Sequence, residues 1–151
     1  MILIIPTGVE YRARRLPVVT FTLMGINTAV WLISFILWLS SGGSVAGGEE
    51  LSWWEETFWL TPAHPAIHTW FTHMFVHEGI FHLLGNMIFL FLFGSCVEDV
   101  LGRWRYTVFY LLGGLVSAIT QIALTAEHFE SEVPLGGASG AISACMAASR
   151  K

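Results

Sequence analysis

Apolar residues fall into long uninterrupted blocks along this chain. Residues 18–39 form an uncharged stretch of 22 positions, and two further apolar blocks cover residues 79–97 and 106–124. A helix needs about 20 apolar residues to cross roughly 30 Å of hydrocarbon. Each block therefore predicts one membrane-spanning helix.

A fourth apolar stretch begins at Ser139 but meets Arg150 and Lys151 almost at once. Residues 139–151 would extend about 20 Å as a helix, which is too short to cross a bilayer. We therefore expect an all-α polytopic membrane protein with three full membrane helices and the start of a fourth. Residues 1–17 form the segment before the first helix, and residues 40–78 form the first outer loop.

The composition supports a membrane protein. Of the 151 residues 54% are hydrophobic and 12% are charged, whereas soluble domains carry about 25% charged residues. With seven Lys and Arg against eleven Asp and Glu, the net charge of −4 excludes nucleic-acid binding. The first block could be misread as a secretory signal peptide, but it exceeds the usual apolar core of about 7–15 residues.

The basic residues predict the orientation. They lie before the first block, between the second and third blocks, and after the fourth: Arg12, Arg14, Arg15, Arg103, Arg105, Arg150 and Lys151. The loops over residues 40–78 and 125–138 contain acidic residues and neither Lys nor Arg. Because cytoplasmic loops are enriched in Lys and Arg, we expect a cytoplasmic N-terminus and acidic loops outside.

The outer loop contains a segment, residues 51–60, that mixes three Trp residues with acidic ones. Indole rings favour the headgroup depth of a membrane, which suits an element lying in the interface. An ordinary packed loop explains the same composition, and the sequence leaves both interpretations open.

Two polar residues interrupt the second block. His82 and Asn86 are four residues apart, so they share one helix face, and polar groups in a membrane are costly enough to need a purpose. They serve either interhelical hydrogen bonding or a reaction site. His77, five residues before His82, would lie about 140° around a helix, so we expect it at the helix mouth.

A glycine-flanked serine opens the fourth stretch, in the segment Pro134-Leu135-Gly136-Gly137-Ala138-Ser139-Gly140. Helix starts present unpaired N–H groups and a positive dipole end, which suits a developing oxyanion. A plain N-cap with glycines for close helix packing is the alternative.

A metal site is a third possibility, because His64, His68, His73, His77 and His82 recur at intervals of four and five. Paired histidines four apart on a helix can hold zinc. However, Phe81 occupies the place of the second histidine in a His-Glu-x-x-His motif, and prolines flank His64. We therefore expect no metal and no cofactor.

Taken together, the motifs His77-x-x-x-x-His82-x-x-x-Asn86 and Gly137-Ala138-Ser139-Gly140 resemble the rhomboid family of intramembrane serine proteases. The Trp-rich first loop and Glu98-Asp99-x-x-Gly102-Arg103 fit the same family. The resemblance implies a partial rhomboid domain over residues 18–151, membrane-anchored protein substrates, and residence in a bacterial inner membrane.

The resemblance also implies roles for individual residues. Ser139 would be the nucleophile, and His82 and Asn86 would form the oxyanion hole with the Ser139 backbone N–H. His77, Gly137 and Gly140 would support the site. Glu98 would cap or pair near the cytoplasmic end, with Arg103 or Arg105 as candidate partners.

The chain departs from the family at the general base. Rhomboids use a serine–histidine dyad whose histidine lies on the sixth membrane helix, and no histidine follows Ser139 here. An unassisted serine hydroxyl is a poor nucleophile, so we expect an inactive fragment of a rhomboid protease. The alternative is a catalytically dead rhomboid-like module that binds membrane helices. No pattern in the sequence indicates the substrate or the oligomeric state.

Overall fold

Helices make up most of the computed structural model of the chain, which describes residues 2–4, 10–12, 15–40, 57–125 and 134–149. We label the helices α1 to α6: Val18–Ser40 (α1), Thr69–Thr72 (α2), Ile80–Phe89 (α3), Ser95–Leu101 (α4), Arg103–Thr125 (α5) and Ser139–Ala148 (α6). A 3₁₀ turn, His73–Phe75, follows α2. The N-terminal segment adds a two-stranded antiparallel hairpin, β1 (Ile2–Ile4) with β2 (Glu10–Arg12).

Three helical segments are long and apolar enough to cross a membrane: Val18–Ser40, Ile80–Leu101 and Arg103–Leu124. The predicted bundle of three full spans is therefore confirmed, and α6 is a shorter apolar helix. The helices extend beyond the apolar blocks, since the second span continues past Val97 to Leu101 and the third begins at Arg103, before Tyr106. Charged residues end the apolar blocks in the sequence, but the helices include Glu98, Asp99, Arg103 and Arg105.

The second span is not a uniform α-helix. A π-helical segment, Leu90–Gly94, joins α3 to α4. Single π turns within α-helices insert an extra residue and change the direction in which later side chains point. This turn separates the half of the span that carries His82 and Asn86 from the half that carries Glu98.

A single residue connects the second and third spans. Gly102 has φ +77° and its N–H donates to the carbonyl of Glu98 at 2.8 Å. Glycine populates positive φ without steric cost and commonly ends helices in this way. The chain therefore reverses direction within one residue, and α5 begins immediately at Arg103.

Glu98 joins the second span to the start of the first. Its buried carboxylate accepts hydrogen bonds from the N–H groups of Val19 (2.9 Å) and Thr20 (2.8 Å) and from the Thr20 hydroxyl (2.8 Å). The first N–H groups of a helix lack intrahelical acceptors, so Glu98 caps α1. The expected capping role is thus present. Among the described residues, the side-chain hydrogen bonds of Glu98 go to Val19 and Thr20 of α1, and neither of the candidate partners Arg103 and Arg105 takes part.

Small residues allow α6 to pack closely along α5. A β-carbon on Gly113 would stand 2.7 Å from the Ala144 β-carbon, and one on Gly140 would stand 2.5 Å from the Ser117 β-carbon. Backbones can approach closely in membranes where such small residues face each other. The predicted packing role of Gly140 therefore has a specific partner, Ser117, and this contact fixes the start of α6 against the third span.

The end of the outer loop packs into the protein. Trp59 and Leu60 are buried, and Leu60 forms a two-hydrogen-bond antiparallel bridge with Leu135, at 3.1 and 2.8 Å. These two residues are packed within the protein, as the packed-loop interpretation expects. The earlier part of the segment, residues 51–56, lies outside the described residues.

Candidate active site

Ser139 is the first residue of α6, and its side chain is exposed. Ala138, the residue before it, is fully buried. In an α-helix the first N–H groups have no intrahelical acceptor, and the partial positive charge of the dipole lies at the same end. The fold therefore places a serine hydroxyl beside backbone donors that suit a negatively charged oxygen.

Two backbone contacts fix the segment that precedes Ser139 in the chain. The Gly137 N–H donates to the carbonyl of His73 at 2.8 Å, in the 3₁₀ turn. Leu135, two residues earlier, is paired with Leu60 from the outer loop. Gly137 has φ +110°, a conformation that other residues rarely adopt. These constraints give the backbone before Ser139 a defined path.

His82 and Asn86 converge on Gly137. A β-carbon added to Gly137 would stand 2.8 Å from His82 Cε1, 2.9 Å from His82 Nε2 and 3.4 Å from Asn86 Nδ2. The glycine therefore leaves the space that lets both polar side chains approach the backbone two residues before Ser139. The structure brings the sequence-predicted oxyanion donors and the serine-bearing loop together.

The amide of Asn86 has unused donors. Asn86 is buried, and its Nδ2 has no hydrogen-bond partner among the described residues. An unpaired buried polar group lowers the stability of the folded state by about 1–3 kcal/mol. Such a group in a native structure therefore calls for an explanation, and a functional role is one. An N–H group aimed at a site and unpaired in the resting protein suits the stabilisation of charge that appears only during a reaction.

His77 lies against His82 at the mouth of the second span. The two rings meet edge to face, with centroids 5.2 Å apart and planes inclined by 69°. Burial above all, with a contribution from His82, lowers the pKa of His77 from 6.5 to about 4. His77 precedes α3, as predicted for a residue at the helix mouth, and its neutral ring supports the orientation of His82.

A cavity of about 120 Å³ opens beside Ser139, between the loop before α6 and the outer half of α5. Its polar lining comes from Ser139, His73, Ser117 and Gln121. Peptide hydrolysis consumes water, and a polar cavity with several hydrogen-bonding groups can hold it. The nucleophile candidate therefore lines a polar space beside the start of α6.

His73 is one of the residues that line this cavity. Its Nδ1 lies 2.8 Å from the carbonyl oxygen of Thr69, and because a carbonyl only accepts, Nδ1 must carry the hydrogen. Burial lowers the pKa of His73, against the effect of its backbone hydrogen bonds. The neutral ring therefore keeps Nε2 unprotonated, as an acceptor.

Sequence reasoning missed His73, Ser117 and Gln121 as members of the site. His73 entered only as a zinc candidate. Ser117 and Gln121 are four apart in the third apolar block, the same spacing that singled out His82 and Asn86. The place of His73 in the site depends on the hydrogen bond from the Gly137 N–H to the His73 carbonyl. Because these residues are 64 positions apart, no local sequence pattern indicates this bond.

The alternative histidine metal site gains no support from the geometry. In the described ranges, no three side chains of His, Cys, Asp or Glu lie close enough to hold a metal ion. His64 lies in a non-helical turn, so the His64–His68 interval does not place two rings on one helix face. His68 Nε2 instead lies 2.6 Å from the carbonyl of Thr57.

Serine at a helix start, two polar donors and a polar cavity form the arrangement expected of a serine hydrolase at one end of a membrane bundle. The Rhomboid domain family model matches residues 64–150. This chain is a member of the rhomboid family. The matched range contains every residue that sequence analysis placed in the rhomboid site: His77, His82, Asn86, Glu98, Gly137, Ser139 and Gly140.

Individual rhomboid proteases are similar over most of this chain. It is 26% identical over 155 residues to rhomboid protease GlpG of Pectobacterium atrosepticum, covering 93% of this chain and 48% of the relative. It is 30% identical over 136 residues to rhomboid protease GluP of Bacillus subtilis, covering 85% of this chain and 24% of the relative. The chain thus spans less than half of the length of these two rhomboid relatives. Family membership and the apolar spans make it an integral membrane protein.

Proposed function

We propose that this chain carries the nucleophile and the oxyanion donors of an intramembrane serine endopeptidase that cleaves membrane-anchored proteins. One observation carries the proposal: His82 and the unpaired Asn86 amide converge on Gly137, two residues before Ser139. Two relatives of this chain are named rhomboid proteases, which supports the proposal of a protease.

In the proposed reaction, the Ser139 Oγ attacks the scissile carbonyl carbon and loses its proton to a general base. The carbonyl oxygen becomes negatively charged and accepts hydrogen bonds from the Asn86 amide, the His82 ring and the Ser139 backbone N–H. Collapse of this intermediate expels the amine, and water then releases the acyl group. Removing one such donor in serine proteases lowers the rate by about 10²–10³.

The general base is the missing element within residues 1–151. No histidine follows Ser139, and His82 is occupied as a donor in this scheme. We therefore propose that these 151 residues alone do not hydrolyse peptides, and that the base comes from membrane helices supplied in addition. His73 stays a cavity-lining acceptor in this account.

The proposed orientation places the N-terminus in the cytoplasm and the Ser139 end of the bundle outside. The arginines on described elements support it, since Arg15, Arg103 and Arg105 are exposed at the end of the bundle opposite Ser139. Residence in a bacterial inner membrane is part of the same proposal. Substrates would then be cut near the outer ends of their membrane helices.

A chimera tests the proposal. Residues 1–149 are joined to the segment of the Pectobacterium relative that follows its matched region, and both the chimera and the 151-residue chain are reconstituted with a single-span reporter protein. We expect cleavage by the chimera, none by the 151-residue chain, and a loss of about 10²–10³ in rate for Asn86→Ala in the chimera. A chimera that folds as a monodisperse protein and shows no cleavage would contradict the proposed activity. Cleavage by the 151-residue chain would contradict the proposed need for an added base.

A further inference from the structure

The segment that leads to Ser139 is packed against the end of the loop between the first two spans. A β-carbon on Gly136 would stand 3.3 Å from two atoms of the Trp59 ring, and Trp59 is buried. Leu135 pairs with Leu60 through two backbone hydrogen bonds, at 3.1 and 2.8 Å. The position of the segment that presents Ser139 therefore depends on where residues 59 and 60 lie.

Two side chains of the α2 region hold the residues just before Trp59. Nε2 of His68 lies 2.6 Å from the carbonyl oxygen of Thr57, and the Thr72 hydroxyl donates to the carbonyl of Phe58 at 2.8 Å. His68 is the N-cap of α2 and Thr72 is its last residue. Because they are four residues apart in helical backbone, the two side chains share one helix face and reach two consecutive carbonyl groups.

The His68 ring is the donor in its contact. A carbonyl oxygen only accepts, so Nε2 of His68 must carry the hydrogen. A ring nitrogen that carries a hydrogen has no lone pair for a metal ion. The contact with Thr57 thus gives His68 a role other than the metal ligand that its spacing suggested.

The same stretch of chain also holds the segment before Ser139 directly. His73 follows α2 without a break, and its carbonyl accepts the Gly137 N–H at 2.8 Å. Residues 68–73 therefore fix this segment twice, once through Gly137 and once through residues 57–60. The second attachment depends on side chains, so substitutions can remove it without altering the first.

We propose that His68 and Thr72 are positioning residues for Ser139, because they hold residues 57–60 in the place that the Leu135 bridge requires. The proposal rests on the proposed function of Ser139 as the nucleophile. Neither His68 nor Thr72 lines the cavity beside Ser139, so both act through the backbone of other residues. A nucleophile must be held in a productive geometry, and a looser segment should lower the rate of the chemical step more than substrate binding.

Hydrogen exchange of the 151-residue chain in detergent tests the proposal without any catalysis. The Leu135 amide exchanges when its bond to Leu60 opens, and native-state exchange reports such local openings. His68→Ala and Thr72→Val each remove one hydrogen bond, so the Leu135 amide should exchange about two- to tenfold faster, the range that one hydrogen bond supplies. The Gly102 amide, in the turn between the second and third spans, should keep its rate, which separates local loosening from global unfolding.

Conservative variants and a matched control complete this experiment. The amide N–H of His68→Gln can donate to the same carbonyl, and Thr72→Ser keeps the hydroxyl, so both variants should exchange as the unaltered chain does. His64→Ala is the control, because His64 is an exposed histidine four residues earlier. Unchanged exchange at Leu135 in both His68→Ala and Thr72→Val, or the same acceleration in His64→Ala, would overturn the proposal. If His68→Ala does not fold, Thr72→Val decides alone.

Cleavage by the chimera measures the consequence for Ser139. We expect His68→Ala to lower kcat about two- to tenfold with KM little changed, and His68→Gln to restore kcat. A change in KM alone would overturn the positioning role. A chimera that is inactive with every residue unaltered would contradict the proposed function instead, and exchange at Leu135 would then still decide whether His68 and Thr72 hold the segment.

Discussion

His82 Cε1 lies 2.8 Å from the point where a β-carbon on Gly137 would stand. The glycine thus keeps open the space between the second span and the loop that enters α6. Gly137 is therefore as important to the geometry of the site as the side chains of His82 and Asn86. The close approach also means that the smallest possible addition, one methyl group, tests the geometry.

Gly137→Ala should damage both the fold and the site. The added methyl meets the His82 ring, and a residue with a β-carbon must adopt φ +110°, so we expect a loss of about 1–3 kcal/mol in unfolding free energy. Unfolding of the chain in detergent micelles measures it. Gly25→Ala is the matched control, because a β-carbon there meets nothing within 4 Å. Similar stabilities for the two variants would contradict the close approach of His82.

The cap that Glu98 forms on α1 predicts a graded loss of stability. Glu98→Gln keeps the shape but removes the charge that strengthens three hydrogen bonds, so the unfolding free energy should fall by about 1.5–3 kcal/mol. Thr20→Val removes one of these bonds and should cost about 1 kcal/mol. Thermal unfolding of each variant checks this.

Thr22→Val controls for the loss of a helix hydroxyl in the Glu98 experiment. The Thr22 hydroxyl is exposed and, among the described residues, donates to the Val18 carbonyl one turn earlier, so its removal should change the unfolding free energy little. A Thr20→Val variant as stable as Thr22→Val would mean that Glu98 does not hold α1 through this hydroxyl.

The lowered pKa of His77 predicts a pH dependence of stability. The folded-state pKa of about 4 lies below the ordinary 6.5, so the unfolded chain binds the extra proton between these values. Stability from this group is present above about pH 6.5 and is lost as the pH falls toward 4. One pKa unit corresponds to about 1.4 kcal/mol, so we expect a loss on the order of 1–3 kcal/mol.

Unfolding at pH 7 and pH 4.5 measures this effect, and His77→Gln should flatten the difference. The exposed His64 provides the control variant His64→Gln, which should keep the full pH dependence of the unaltered chain. An unchanged slope in His77→Gln would assign the pH dependence to other groups.

Hydropathy predicted the three spans because membrane helices satisfy their backbone hydrogen bonds internally and expose apolar side chains. It did not indicate that the helices extend beyond the apolar blocks where the second span meets the third, with Glu98 inside the second helix and Arg103 at the start of the third. The sequence could not supply the reason, since the partners of Glu98 are the N–H groups of Val19 and Thr20, 79 and 78 residues away. Nor does any composition signal mark the π turn at Leu90–Gly94.

The proposed site was predictable where its residues repeat at helical spacing. His82 and Asn86 share a helix face by arithmetic alone, and the glycines around Ser139 indicate a constrained helix start. The link between these two motifs was available only as a family resemblance, because it depends on the packing of α3 against the loop before α6. The bond from Gly137 to the His73 carbonyl is of the same kind, so the sequence indicated His73 only as a metal candidate and not as a neighbour of Ser139.

The central claim is that Ser139 is the nucleophile beside the donors His82 and Asn86. Its most direct test treats the chimera with a fluorophosphonate and maps the modified residue by peptide mass spectrometry, alongside cleavage assays of Ser139→Ala. We predict modification at Ser139, none at Ser117 or Ser143, and no cleavage by Ser139→Ala. Undiminished cleavage by Ser139→Ala, or modification at another serine, would contradict the account.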